Sequence, residues 1–412
     1  MDEEILVSVS AGLTRVALLA GGLVQELHME RADSPSLVGN LYLGRVQRIV
    51  SGMDSAFIDI GIGVNGLLAA ADLPARDTIG GQLCAGQELL VQVTRDALGD
   101  KGPRLTTAVT LASRHLVLAT CGARGSVSRR IRSDTERQRL RDLLPELVTE
   151  LGLDGSGLIA RTAAENVSAE VLRADARRLA ARWLQLRTGA AKKAGPHLVL
   201  AEPPLPVRVL RDCTGAGVPR ITVDDSRCAT DIRSWCRQHP EAAAPVAEDC
   251  ADPGSLFRRR NVEAQISAAL AALVPLPSGG NLVIERTEAM TTVDVNTGTY
   301  TGHRDLEQTL LQTNLEAAAA LPRQLRLRAL GGIVAVDFID LREPGHRRAV
   351  RLALEQALAA DPDAGAVSSV GKLGLVILSR RQSRPPLTEV LTLPCAQCGG
   401  SGRVPRSAAT GL

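Results

Sequence analysis

At 412 residues, 45% of them hydrophobic and 23% charged, the chain has apolar material for two to four ordinary domains and none of the apolar depletion that marks a disordered protein. Its formal net charge of +3, from 48 basic and 45 acidic residues, excludes identifying a polyanion-binding protein from the whole-molecule field alone. The N-terminus has no basic segment leading into an apolar stretch and no run approaches bilayer-spanning length, so a cytoplasmic protein with no membrane segment is expected.

The predicted elements begin with a small antiparallel meander: apolar runs Ile5 to Val9, Val16 to Leu19 and Leu23 to Leu27, with turns at Gly12 and Gly21-Gly22. Beyond the break at residues 33–36 come short strands at Leu41 to Val50, Ala56 to Ile60 and Leu89 to Thr94. Their spacing and glycine-rich turns suggest a small barrel such as an OB fold. Helical periodicity covers Arg129 to Leu151 and Ala169 to Leu186, with an extended piece, Leu158 to Thr162, between them. A loose stretch, Thr188 to Pro206, holds Lys192-Lys193, and Cys213 to Asp252 shows little periodicity. A helix is expected over Asn261 to Val274, followed by a Pro- and Gly-rich boundary at 275–280. The last region reads strand (Leu282 to Glu285), strand (Thr291 to Asn296), helix (Asp305 to Ala320), strand (Gly332 to Asp340), helix (Arg347 to Ala360), strand (Leu375 to Leu378), the pattern of a layered α/β unit.

In the strand ending at Asn296, the two-residue period puts Thr292, Asp294 and Asn296 on one face. The strand from Gly332 to Asp340 is almost wholly apolar, so the Asp337 carboxylate within it needs a charge partner. Two carboxylates on neighbouring strand ends plus an amide suit a hard divalent cation. Magnesium takes one or two protein carboxylates and keeps its other positions for water and phosphate oxygens. Bonding of both aspartates to backbone amides or arginines at strand ends would account for the same residues.

Phe57 shares its strand face with Asp59 rather than with Ala56 and Ile58, which suits base stacking; ordinary core packing is the alternative. Lysine occurs only at Lys101, Lys192, Lys193 and Lys372. The basic residues are thus nearly all arginine, matched to bidentate phosphate contacts and equally to an Ala- and Arg-rich codon usage. Eight cysteines without a secretion signal argue for reduced thiols or a metal. Cys395 and Cys398 form a C-x-x-C in a glycine-rich turn and supply two of the four ligands of a tetrahedral zinc; no second C-x-x-C occurs, and redox use is the alternative. Gly371-Lys372 lacks the spacing and the following Ser or Thr of a phosphate loop.

The stretches at 288–298, 313–318 and 323–340, the last reading Arg323-Gln324-Leu325-Arg326-Leu327-Arg328-Ala329-Leu330-Gly331-Gly332 into the Asp337 strand, resemble the catalytic core of the ribonuclease E/G family. Residues 39–46, 56–61 and 101–107 resemble that family's embedded S1-type barrel, and 127–131 and 157–162 its region that senses the 5′-monophosphate end of RNA. The resemblance implies a multidomain α+β fold. It would have a split RNase H-like subdomain (1–35 and 215–278), an S1-type OB barrel (36–122), a 5′-sensor region (123–214), a DNase I-like catalytic subdomain (279–394), a zinc link (395–402) and a tail (403–412).

The activity so implied is magnesium-dependent endonucleolytic cleavage of single-stranded RNA in processing and decay. It would leave 5′-phosphate and 3′-hydroxyl ends and be stimulated by a 5′-monophosphate. Asp294 and Asp337 would hold Mg2+ while Asn296 orients, and Gly125, Val127, Arg161, Thr162 and Phe57 would bind substrate. Cys395 and Cys398 would hold a Zn2+ shared across a homodimer. A surface salt bridge is the alternative for Arg161. Departures from the family pattern are Leu67-Leu68 where a second aromatic is usual, Pro322 inside an expected helix, Ile377 in place of an acid, and an end shortly after the cysteines where a small further domain is usual. Two other classes remain in view: an RNA-binding protein that keeps the scaffold without efficient catalysis, and a nuclease preferring DNA.

Overall fold

Three strands, β1 (Glu3–Ser10), β2 (Leu13–Ala20) and β3 (Leu23–Arg31), open the chain. They are joined by two-residue turns, Ala11-Gly12 and Gly21-Gly22, whose residues all have positive φ, the geometry that matches the right-handed twist of hairpin strands. The computed structural model describes residues 3–73, 79–97, 101–121, 125–153, 155–190, 194–213, 220–239, 245–250, 252, 255–299, 306–368, 375–400, 402 and 404. The chain divides into two units. One comprises Met1–Leu6, Ala17–Leu27 and Ser255–Leu412, the other Val7–Val16 and His28–Gly254.

In the second of these, β4 (Leu41–Val50), β5 (Ser55–Asp59), β6 (Asn65–Ala69), α1 (Ile79–Gln82), β7 (Glu88–Arg95) and β8 (Arg104–Thr106) follow in order. The strands pair as β4-β5-β6-β8-β7, and β7 pairs back to β4, closing a five-stranded barrel. Alternate residues fill it, among them Val46, Ala56, Ile58, Leu68, Val91 and Leu105. Next come β9 (Thr110–Ala112), β10 (Leu116–Ala119), β11 (Ser126–Val127), α2 (Asp134–Glu150), β12 (Gly157–Ala160) and α3 (Ala169–Ala190), with sheet order β11-β12-β10-β9. Leu140, Leu144 and Leu147 of α2 and Leu172, Ala176 and Leu179 of α3 recur at helical spacing and bury against Leu118, Leu158 and Ala160.

Two expectations are corrected here. The stretch from Thr188 to Pro206 is not all loop: β13 (His197–Leu200) lies along β4, its register making a strand of a segment too short for periodicity to reveal, while Lys192-Lys193 falls outside the described residues. The unperiodic Cys213 to Asp252 follows α4 (Leu205–Cys213) and contains β14 (Arg220–Val223), α5 (Ser226–Gln238) and β15 (Val246–Glu248). The two strands are parallel and extend the first sheet in the order β15-β14-β1-β2-β3.

The other unit holds α6 (Leu256–Arg259), α7 (Val262–Leu270), β16 (Leu273–Pro275), β17 (Asn281–Arg286), β18 (Met290–Asn296), α8 (Leu306–Leu327), β19 (Gly332–Asp337), α9 (Pro344–Leu358), β20 (Ala364–Val367), β21 (Leu375–Arg380) and α10 (Leu387–Leu391). The expected helix to Val274 stops at Leu270, because Leu273 to Pro275 pair with β17; tertiary pairing overrides the local pattern. The sheet order is β16-β17-β18-β19-β21-β20, with β18 and β19 parallel and joined through α8. Val293, Val295, Val334, Val336, Val376 and Leu378 bury one face of this sheet beneath Ala317, Leu321 and Leu325 of α8 and Val350 and Leu354 of α9. Pro322 does not end α8, which runs on to Leu327; the proline is buried and removes only the hydrogen bond its N–H would have made to Ala318. Among the described residues, no helix is long and apolar enough to cross a membrane.

Candidate active site

With one sheet face buried under α8 and α9, alternation sends Asp294, Asn296 and Asp337 to the other. Asp294 and Asp337 are register partners at the C-terminal ends of the parallel pair β18 and β19, so their Cα atoms stand roughly 5 Å apart. All three side chains are exposed, and Asn296 Nδ2 donates to Asp294 Oδ2 at 2.8 Å. Among the described residues neither aspartate has a basic partner within ion-pair distance. Leu375 is Asp337's register partner on β21. Ile377, at the position where an acid was expected, faces the same open side opposite Ala335 and is 52% exposed.

The Asp337 strand is set from both ends. Ala329 closes α8 at φ 52°, with Leu330 N–H donating to Leu325 O at 2.9 Å, and Gly332 starts β19 at φ 86°, a backbone that only glycine adopts without strain. Beyond Asp337, the buried Asn314 of α8 donates from Nδ2 to Ile339 O at 2.8 Å and accepts from Ile339 N at 3.0 Å. The motif arginines are also spent on the scaffold. Arg323 donates to Val24 O and Gln265, Arg326 to Gln25, and Arg328 to Gln324 and Ala271 O.

In the other unit, Arg161 and Thr162 follow β12, and Val127 of β11 is register partner to Ala160. Gly125, at φ 66°, leads into β11, and Thr162 Oγ1 lies 3.0 Å from Ser128 Oγ. These residues are therefore neighbours in one turn region. The Arg161 side chain is anchored: Nη1 donates to Ser113 O at 2.5 Å and Nη2 pairs with Asp212 Oδ1 at 2.8 Å, while its backbone N–H donates to His115 O at 2.8 Å.

Behind that turn the wholly buried Asp175 accepts from Ser113 Oγ at 2.5 Å and from His115 N at 3.3 Å. Burial would raise the Asp175 carboxyl, but the hydrogen bonds of His115 and Ser113 and the charges of His115 and Arg178 outweigh it and hold it low. Asp212 is likewise held below the usual carboxylate range, the bond and charge of Arg211 and those of Arg161 outweighing burial. Sequence reasoning missed Asn314, Asp175 and Asp212. The signal for the first two was a polar residue on an apolar helical stripe: Asp175 lies between Leu172 and Leu179, and Asn314 beside Ala317 and Ala318.

Phe57 is half-buried on the barrel's outside, flanked by register partners Arg48 and Leu67, with the Arg48 guanidinium carbon 5.6 Å from the ring centroid. Ala56 and Ile58 are buried, so Phe57 is not in the barrel core. Cys395 is exposed and Cys398 half-buried in a turn closed by Gly399 N–H to Cys395 O at 2.8 Å. Among the described residues no three His, Cys, Asp or Glu gather as a metal site.

A family model for the ribonuclease E/G family matches residues 110–383, a span holding Asp294, Asn296, Asp337 and Arg161. The chain belongs to the ribonuclease E/G family. It is 40% identical to ribonuclease G of Escherichia coli (strain K12) over 418 residues, 98% of this chain and 85% of the relative. It is 39% identical to ribonuclease G of Haemophilus influenzae over 97% of this chain and 84% of the relative. Ribonuclease E of Escherichia coli (strain K12) is 35% identical over 95% of this chain and 38% of the relative's length. The stretches whose residues line the open sheet face are thus those of a family of RNA-cleaving enzymes.

Proposed function

We propose that this endoribonuclease of RNA processing depends on magnesium held by Asp294 and Asp337, leaves 5′-phosphate and 3′-hydroxyl ends on single-stranded RNA, and is stimulated by a 5′-monophosphate. The endonuclease class rests on family membership and on 40% identity over 98% of the chain to ribonuclease G. The observation that carries the metal reading is the register of Asp294 with Asp337 on one open face, with no ion pair to either among the described residues. Two carboxylate ligands with room for water fit a magnesium ion, which prefers oxygen donors and keeps several waters. When bound there, the ion supplies a water of lowered pKa and neutralises charge on the scissile phosphate. Asn296 Nδ2 holds the Asp294 carboxylate by its Oδ2 and would orient it toward an ion, and Asn314 fixes the strand that carries Asp337.

The remaining assignments belong to the same reading. The five-stranded barrel is an S1-type OB domain presenting Phe57 to a base. Gly125, Val127, Arg161 and Thr162 receive the terminal phosphate. The sheet that carries Asp294 is DNase I-like, the meander and residues 215–278 are RNase H-like, and Cys395 with Cys398 hold half of a zinc shared by two chains. The two thiols in one tight turn suit a tetrahedral ion that a second chain completes.

Cleavage of 5′-monophosphorylated and 5′-hydroxyl RNA, with and without magnesium, tests the reading. Asp294→Asn and Asp337→Asn are expected to abolish magnesium-dependent cutting and retain RNA binding, and wild-type rates in either variant would remove the site assignment.

A further inference from the structure

Asp337 sits on the last rung of both its ladders. Its pairs with Asp294 on β18 and with Leu375 on β21 are the end pairs of the two registers, whereas β18 stays paired with β17 as far as Asn296. Past that rung the sheet no longer sets the course of the chain. The gap between the two aspartates therefore depends on what holds the segment that leaves β19. Magnesium bonds oxygen at about 2.1 Å and demands near-octahedral geometry, so a frayed strand end there would weaken binding.

Side chains hold that segment. Asn314 of α8 takes both backbone groups of Ile339, at 2.8 and 3.0 Å, and Arg347 Nη1 of α9 donates to Leu341 O at 2.5 Å and Arg342 O at 3.0 Å. The third tie is Glu307, half-buried in the first turn of α8. Its Oε1 accepts from the N–H of Arg342 at 3.0 Å and of Glu343 at 3.2 Å, with His346 Nδ1 at 3.2 Å. Glu343 is the N-cap of α9, and its own side chain makes no cap bond. A carboxylate lent by α8 stands at the positive end of α9 in its place. The bond from Glu343 N–H, with those from His346 and Arg342, outweighs burial and holds the Glu307 carboxyl below its usual range. Since α8 is the element after β18 and α9 the element after β19, this one carboxylate laces together the segments that follow the two aspartate-bearing strands.

We infer that Glu307 is a positioning residue for the candidate metal pair: by fixing the segment from Arg342 to His346 to the start of α8, it holds Asp337 at the spacing from Asp294 that a magnesium ion needs. The inference rests on the reading of Asp294 and Asp337 as the metal ligands. Among the described residues Glu307 does not join the two aspartates in a three-carboxylate cluster, so it acts through the backbone and not as a ligand. A helix cap without bearing on the metal would cost stability and leave affinity unchanged. The two roles separate in a binding measurement.

The test measures Mn2+ binding to the full chain without RNA, by electron paramagnetic resonance, beside thermal melting and cleavage rates against magnesium concentration. The proteins are wild type, Glu307→Ala, Glu307→Gln, Glu307→Asp, Asp337→Asn and Leu358→Ala. Glu307→Ala is expected to raise the Kd for Mn2+ roughly 3- to 10-fold, less than the 10- to 100-fold typical of a partner bonded directly to a ligand. The magnesium concentration for half-maximal rate should rise by the same factor, with KM for RNA unchanged. Glu307→Gln keeps an Oε1 acceptor and is expected to restore the Kd to within about 2-fold of wild type. Leu358→Ala, which empties a buried position at the last residue of α9, is expected to lower Tm and leave the Kd unchanged. A wild-type Kd in Glu307→Ala, or one that moves no further than that of Leu358→Ala, overturns the inference. If melting finds Glu307→Ala unfolded, the shorter carboxylate of Glu307→Asp decides by the same criterion. Asp337→Asn separates the two levels. If it abolishes Mn2+ binding while the Glu307 variants leave the Kd in place, the metal reading stands and the inference falls; if it binds Mn2+ as wild type does, both fall.

Discussion

Asn314 holds Ile339 by both halves of its amide, donating to the carbonyl at 2.8 Å and accepting from the N–H at 3.0 Å, two residues beyond Asp337. The pair ties the middle of a buried helix to the end of the strand that presents the candidate metal ligand. Replacing Asn314 by leucine leaves the backbone donor and acceptor without partners in a region where the helix face is fully buried. The expected loss is about 2–3 kcal/mol of unfolding free energy by urea titration, with a lower kcat as Asp337 loses its fixed position. Full stability in the leucine variant would mean that the pair is dispensable.

Much of this arrangement was legible in the sequence. Period-two alternation put Asp294 and Asn296 on one face and the valines on the other, as observed. The β4 strand was expected over Leu41 to Val50 and occupies those residues. What was not legible depended on partners distant in the chain. Leu273 to Pro275 became strand through pairing with β17, and His197 to Leu200 through pairing with β4. Nothing near Arg161 in sequence announces Asp212, which lies 51 residues away and reaches it from α4. Arg323, Arg326 and Arg328, part of the stretch that resembles the catalytic core, bond carbonyls and glutamines, an arrangement that depends on acceptors distant in the chain.

Asn296 orients Asp294 rather than standing alone, since its Nδ2 is already committed to the Asp294 carboxylate. Asn296→Ala is therefore expected to lower cleavage roughly 10- to 100-fold and to raise the magnesium concentration needed for half-maximal rate, the usual effect of losing a group that positions a metal ligand. RNA binding without metal should be unaffected. A changed rate with an unchanged magnesium requirement would assign Asn296 to substrate instead.

Acid should weaken the α2 region in a defined window. Arg139 grips Glu136 through two hydrogen bonds and Asn166 N–H adds a third, and together they outweigh burial and hold the carboxyl below its usual range. A carboxylate depressed in the folded state stabilises the fold above its unfolded pKa of about 4.3, and that contribution disappears as pH falls through the folded value. Unfolding free energy should thus fall below about pH 4. Glu136→Gln should be less stable than wild type at pH 7 and show a shallower decline into acid. Parallel pH profiles for the two proteins would contradict the assignment.

The last expectation concerns Cys395 and Cys398. Their turn gathers two thiols, and among the described residues no His, Cys, Asp or Glu adds a third ligand; on the proposed reading a tetrahedral zinc there takes its other two ligands from another chain. A twofold axis through the ion supplies them with identical geometry, each chain giving its own pair. The expected product is a dimer with one zinc per two chains, converted to monomer by Cys395→Ser or by a strong chelator. Light scattering with metal analysis checks the mass and the stoichiometry together. Thiol labelling adds an independent reading: the exposed Cys84 should react in any state, Cys395 only once zinc is removed, and Cys228 very slowly throughout. Burial, with the charges of Asp225, Asp231 and Asp224, pushes the Cys228 thiol up to about 12 and so keeps it protonated. A zinc-free dimer of full stability, or a monomer retaining one zinc per chain, would refute the shared site, because either would require a ligand set that these two thiols do not provide.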